Sequence, residues 1–268
     1  MALLHVDFFS DVLGMCMNMD VILPQRTKGQ IGMEGARGAG KYPTLYLLHG
    51  MSDDHTIWQR RTSIERYVSD MGIAVVMPTT HLAWYTDMRH GLKYYTFIAE
   101  ELPVICRDFF PNMSDRREDT FVAGLSMGGY GAMKLALNAP DTFGAAASLS
   151  GAVGPIEIRR ARANKLGDRG TYWSDLFGRE DEPVNPQDDL FAAAKALAQS
   201  GKPLPKLYQW CGTEDGLIGE NRQFRDHVQA LGYDLTYEES PGVHAWEYWD
   251  EKIQTVLKWL PISFDGEK

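Results

Sequence analysis

Cysteine is scarce in this 268-residue chain: Cys16, Cys106 and Cys211 are the only three, far apart and odd in number. That excludes a disulfide framework and a cysteine-built metal cluster. Each is expected as a small residue in or near a core. Long apolar runs are missing too. No stretch approaches the roughly 20 residues needed to cross a bilayer, so no membrane partner is expected. A surplus of positive charge is also lacking: 27 Lys and Arg against 36 Asp and Glu leave a formal net charge of −9. Such a chain is not drawn to nucleic acid or to an anionic membrane surface. The pairs Arg116-Arg117 and Arg159-Arg160 read as solvated faces. The opening residues, MALLHVDFFSDVLGM, lack the basic start, apolar run and small-residue cleavage site of a secretory leader. A cytoplasmic protein is the expectation, with a homo-oligomer left open.

What the chain does have is material for one large core. Apolar residues make up 44% of it, and its length suits a single domain over 1–268. Strand-like runs alternate with helical periodicity. Residues 3–23 read as two strands with a turn near 11–15, and a Gly-rich polar loop follows over 28–41. Residues 44–48, TLYLL, form a continuous apolar run that stops at His49-Gly50. Such a run fits a strand buried on both faces of a parallel sheet. Further strands are expected at 73–77, 120–125, 145–149, 206–210 and 235–238. Helices are expected at 94–110 with Pro103 as a kink, and at 128–138, 220–231 and 245–260. This alternation predicts the α/β class: a mostly parallel twisted sheet with helices on both faces.

One segment breaks the pattern. Residues 154–205 are too long for an ordinary connection. They read either as a decorated crossover helix or as a small cap-like insertion over the C-terminal ends of the strands. Trp173, Leu176 and Phe177 would be the apolar contacts of such a cap.

The chemistry is concentrated at Gly124-Leu125-Ser126-Met127-Gly128. A glycine-framed serine between a strand and a helix is the nucleophile elbow. The serine must stand on a tight, strained turn with its Oγ exposed, and side chains beside it would collide with neighbouring backbone. The helix that starts there aims N–H groups and a partial positive charge at the reacting centre. A hydroxyl needs a base, and in this fold the order is serine, acid, histidine. His227 reads as a surface residue within a helix. His244, in Ser240-Pro241-Gly242-Val243-His244 before the closing helix, is in the expected place. Asp215, in Cys211-Gly212-Thr213-Glu214-Asp215, is the acid, with Glu214 its close rival and Asp175 and Asp181 weaker candidates. The oxyanion of an acyl-transfer intermediate needs two donors. The N–H of Met127 follows the nucleophile, and the N–H of Met51 lies in the loop after residues 44–48. Gly50 lets that loop turn closely, and His49 packs beneath it. Trp84 and Tyr85 follow the 73–77 strand, so they are expected to wall the substrate site rather than only pack in the core. No metal or cofactor is required.

The chain resembles the tributyrin-esterase group of the esterase D, S-formylglutathione hydrolase-like superfamily. The resemblance rests on LLHGMS (47–52), VVMP (75–78), WYTD (84–87), FVAGLSMGGYG (121–131), CGTED (211–215) and PGVHAWEYWD (241–250). It implies an α/β-hydrolase fold, carboxylesterase activity on short acyl chains, and a triad of Ser126, Asp215 and His244. Relatives within it also include feruloyl and acetyl esterases of plant polysaccharides and the mycolyltransferases. Val243 departs from the family, which often has a second glycine before the histidine. The expected partner is a small-molecule ester. The alternatives are a feruloyl or acetyl sugar ester, an S-formylglutathione thioester, or, from another class, a non-catalytic hydrolase-fold binding protein.

Overall fold

The computed structural model describes residues 1–36, 38, 40–165 and 171–262, the side chains of 162–165 excepted. Its backbone is one sheet, ordered β1-β2-β4-β3-β5-β6-β7-β8. β1 (Ala2–Ser10) and β2 (Met15–Leu23) form an antiparallel hairpin, and β2 runs antiparallel to β4 (Ala74–Pro78). The other pairings are parallel and join β4, β3 (Thr44–Leu48), β5 (Thr120–Leu125), β6 (Ala145–Leu149), β7 (Lys206–Gly212) and β8 (Leu235–Ser240).

Strands β3 to β6 are buried at every position, because helices cover both faces and the side chains alternate between them. Tyr46, Leu48, Val76 and Val122 face one core cluster. This cluster includes residues of α3 (Tyr94–Thr96), α4 (Leu102–Phe109), α5 (Met127–Asn138), α8 (Leu190–Gln199) and α9 (Ile218–Ala230). Leu45, Leu47, Phe121 and Ala123 face the other, with α1 (Ile57–Arg61), α2 (Ile64–Tyr67) and α10 (Trp246–Trp259). β3 and β5 are neighbours at the point where the strand order turns back, so the loops beyond their C-terminal ends meet there. Open α/β sheets place their ligand sites at such a point.

Three expectations need correction. The helix read over 94–110 is broken by a widened π-helical turn, Phe97–Glu101, ahead of α4. Pro103 lies in the first turn of α4 and has no N–H for the carbonyl four residues back, so the strain is taken up upstream of it. Cys16 is exposed on the hairpin, while Cys106 and Cys211 are buried. Arg160 is not on a solvated face. It is 4% exposed, and its guanidinium donates to the carbonyls of Phe177, Gly178, Arg179 and Glu182. It thereby satisfies the carbonyl end of α7 (Tyr172–Phe177), which the helix itself leaves unpaired.

The segment 154–205 holds α6 (Ile156–Lys165), α7 and α8. It is fastened to the main body by a buried charge. Lys134 of α5, 1% exposed, bonds Asp188 and Thr86, and the Tyr130 hydroxyl donates to the Asp188 carbonyl at 2.8 Å. Burial alone lowers the pKa of Lys134, and the Asp188 carboxylate works against that shift. The aspartate next in sequence, Asp189, caps α8 by accepting from the Phe191 N–H.

Candidate active site

Ser126 stands between the end of β5 and the start of α5 with φ 52°, a left-handed conformation in a residue with a side chain. That strain is held by the surroundings. The Ser126 N–H bonds the Leu149 carbonyl at 2.9 Å, and its own carbonyl accepts from Tyr130 and Ala152. The flanking glycines are dictated by close approach. A Cβ on Gly124 would lie 2.4 Å from the Gly128 carbonyl oxygen. One on Gly128 would lie 2.6 Å from the carbonyl oxygens of Leu48 and His49. The elbow is thus pressed against the loop that follows β3.

His244 arrives from the turn between β8 and α10. Its Nε2 lies 3.0 Å from Ser126 Oγ and its Nδ1 lies 2.8 Å from Asp215 Oδ2. Its ring packs edge-on against Trp249, with centroids 4.9 Å apart. Asp215, in the turn that follows β7, also accepts from the Leu217 N–H at 2.9 Å. Burial pushes its pKa up, but the bonds from His244 and Leu217 overcome this and leave it below the ordinary carboxylate value. An ionised Asp215 can only accept, so Nδ1 carries the histidine proton. Nε2 is then the lone pair that faces the serine hydroxyl. Glu214 does something else: its carboxylate accepts from the Gly242 N–H at 2.7 Å and braces the histidine turn. Val243 is exposed there.

The loop after β3 is fixed by His49, which is 1% exposed. Its Nδ1 lies 2.7 Å from the Gly50 carbonyl, and its Nε2 accepts the Thr80 N–H at 3.0 Å. A carbonyl needs a donor and an N–H needs an acceptor, so the ring is neutral with its proton on Nδ1. Burial lowers its pKa to about 4. Met51 follows directly and borders the Ser126 cavity. Met127 opens α5, where N–H groups have no intrahelical acceptor.

Ser126 and His244 open into a cavity of about 360 Å³. Trp84 and Trp173 form an aromatic wall, their ring centroids 5.2 Å apart, and Ala152 and Leu217 add apolar surface. Tyr85, although next to Trp84, is not in the wall. It is fully buried, its ring is against Gly131, and its hydroxyl donates to the His49 carbonyl at 2.8 Å. Trp84 and Tyr85 both have left-handed backbone, φ 53° and 51°. That turn sends one ring to the cavity and the other beneath the loop. Gly50 is buried behind Met51, where a Cβ would lie 2.6 Å from Leu125 Cδ1.

His227 bonds the Phe191 carbonyl, and Asp175 and Asp181 bond Thr171 and Arg179, so none of the three joins Ser126. Among the described residues no group of three or more His, Cys, Asp or Glu is placed to hold a metal ion. Sequence reasoning missed Arg159, which it placed on a solvated face. α6 turns it inward to border the cavity, stacked 4.9 Å above the Trp84 ring. The local sequence carries no signal for that.

Known proteins agree with this architecture. The family described as "Putative esterase" matches residues 10–260. An acetyl esterase of Caldicellulosiruptor saccharolyticus is 29% identical over 97% of this chain and 98% of its own. Two solved structures from Staphylococcus aureus superpose with a TM-score of 0.82, and each comparison covers 97% of this chain and 98% of the other. One is a fluorophosphonate-binding serine hydrolase, 32% identical, and the other an S-formylglutathione hydrolase, 31% identical. The chain belongs to this esterase family and is a serine esterase of the α/β-hydrolase fold.

Proposed function

We propose that the chain is a carboxylesterase for small acyl esters, working through an acyl-enzyme on Ser126. The observation that carries this is the unbroken hydrogen-bonded line from Asp215 through His244 to Ser126 Oγ at the floor of a cavity. In the proposed reaction His244 Nε2 takes the hydroxyl proton as Oγ attacks the ester carbonyl. The tetrahedral oxyanion is met by the N–H groups of Met51 and Met127. Asp215 stabilises the imidazolium, and His244 returns its proton to the leaving alcohol. Water then repeats the sequence, with the same histidine as base, and releases the acid.

The cavity supports a small substrate, since about 360 Å³ lies near the lower end of ligand sites, roughly 300–1,000 Å³. The aromatic wall of Trp84 and Trp173 suits a short acyl chain, as in tributyrin, or a flat alcohol. The likeness to an S-formylglutathione hydrolase favours a thioester as the second reading. The proposed compartment is the cytoplasm, which suits three unbridged cysteines, one of them exposed.

Hydrolysis of p-nitrophenyl acetate, butyrate and octanoate, methyl ferulate and S-formylglutathione, each beside Ser126→Ala, tests the reading. A maximum at acetate or butyrate that vanishes in the variant is expected. A dominant rate on ferulate or the thioester would replace the substrate. Absence of turnover on every ester would leave a binding protein.

A further inference from the structure

Among the described residues, Arg159 is the one lysine or arginine that lines the Ser126 cavity. Arg159 of α6 donates from Nη2 to Glu220 at 3.0 Å. Its Nε–H is buried with no acceptor among the described residues. The guanidinium has an indole on one face, Trp84 at 4.9 Å, and its side chain is 18% exposed.

Nε itself is closed to an atom the size of water, so an acceptor on a substrate can meet only the outer nitrogens of the guanidinium. Arg159 and Leu217 border two cavities at once. One holds Ser126 and His244. The other, about 260 Å³, is lined also by Pro155, Ile158, Gly219 and Gln223. A substrate that extends from the first cavity toward the second would run beside Arg159 and Leu217, which line both. The charge balance there narrows the chemistry. Glu220 already neutralises Arg159, and ionised Asp215 lines the same cavity. A substrate carboxylate would enter beside two fixed carboxylates, whereas an uncharged oxygen can accept from the fork without repulsion.

We propose that Arg159 is a specificity-determining residue that selects esters bearing an uncharged oxygen acceptor, such as an ether, hydroxyl or carbonyl, a few bonds from the scissile carbonyl. This rests on the serine-esterase reading of the same site. The oxygen can lie on the acyl or on the alcohol side, and two matched substrate pairs separate these. p-Nitrophenyl methoxyacetate and p-nitrophenyl butyrate differ by one oxygen in the acyl chain. 2-Methoxyethyl acetate and butyl acetate differ by one oxygen in the alcohol.

The readout is the ratio of kcat/KM for the oxygenated ester to that for its alkyl partner, in the parent enzyme and in Arg159→Met. Comparing the two proteins cancels the intrinsic reactivity of each ester. The ratio is expected to fall about tenfold in one pair, the loss of one charge-assisted hydrogen bond. Arg159→Lys, which keeps the charge but not the fork, should fall between and keeps the test open should the methionine variant fold poorly. Ratios unchanged in both pairs would overturn the proposal. A wild-type preference for hemisuccinate over methoxyacetate esters would overturn its exclusion of anions. Ser126→Ala, run in parallel, separates the two readings. Turnover in that variant strikes the serine assignment, whereas a dead variant with unmoved ratios strikes only the role of Arg159.

Discussion

Acidification should unfold this protein partly through His49. The ring is held neutral by two bonds of opposite sense, Nδ1 to the Gly50 carbonyl and Thr80 N–H to Nε2. Protonation would aim a second N–H at the Thr80 donor and leave a buried cation. Its pKa is lowered from 6.5 to about 4. The unfolded chain therefore binds this proton first as pH falls. The contribution is complete above pH 6.5, is lost progressively between 6.5 and about 4, and changes no further below that. At about 1.4 kcal/mol per unit, this window is worth on the order of 3 kcal/mol. Urea unfolding at neutral pH and near the foot of the window measures it, in the parent and in His49→Asn. At neutral pH the variant should already be less stable by roughly 1–3 kcal/mol, because the Thr80 N–H loses its acceptor. Its further loss on acidification should be the smaller of the two. Parallel losses in both proteins would refute the argument and move the acid sensitivity to other groups. The same bonds hold the loop that ends in Met51, so oxyanion stabilisation should weaken along with stability.

Three further outcomes follow from the geometry. Asp215→Asn removes the acceptor that keeps the proton on His244 Nδ1, and kcat should fall by roughly 10³–10⁴ with KM little changed, as read by steady-state kinetics. Gly128→Ala drives a methyl into the carbonyls of Leu48 and His49, 2.6 Å away, and should cost about 1–3 kcal/mol or more in urea unfolding while loosening the elbow. Lys134→Met strands Asp188 beneath the 154–205 segment, and unfolding should show a loss of about 3–5 kcal/mol.

The central strands were legible because strands buried on both faces leave continuous apolar runs, as in residues 44–48 and 74–78. The elbow was legible because backbone packs against Gly124 and Gly128 at distances only glycine tolerates. Asp215 and His244 were picked out by chain order, and the structure places His244 within hydrogen-bonding distance of both Ser126 and Asp215. Where the fold depends on contacts between distant segments, the sequence is silent. Arg159 and Arg160 look alike in sequence, yet one borders the cavity and the other closes the end of α7. Neighbouring Trp84 and Tyr85 diverge because of two left-handed residues in succession, which no pattern of polarity encodes. The Lys134–Asp188 pair joins groups 54 residues apart and could not be read from local spacing.

The most direct test of Ser126 as the nucleophile is to label the protein with a fluorophosphonate and locate the adduct by peptide mass spectrometry. A single adduct is expected, on Ser126, that blocks ester turnover in proportion to labelling and is absent from Ser126→Ala. Full turnover with Ser126 unlabelled, or an adduct on another residue that abolishes activity, would contradict it.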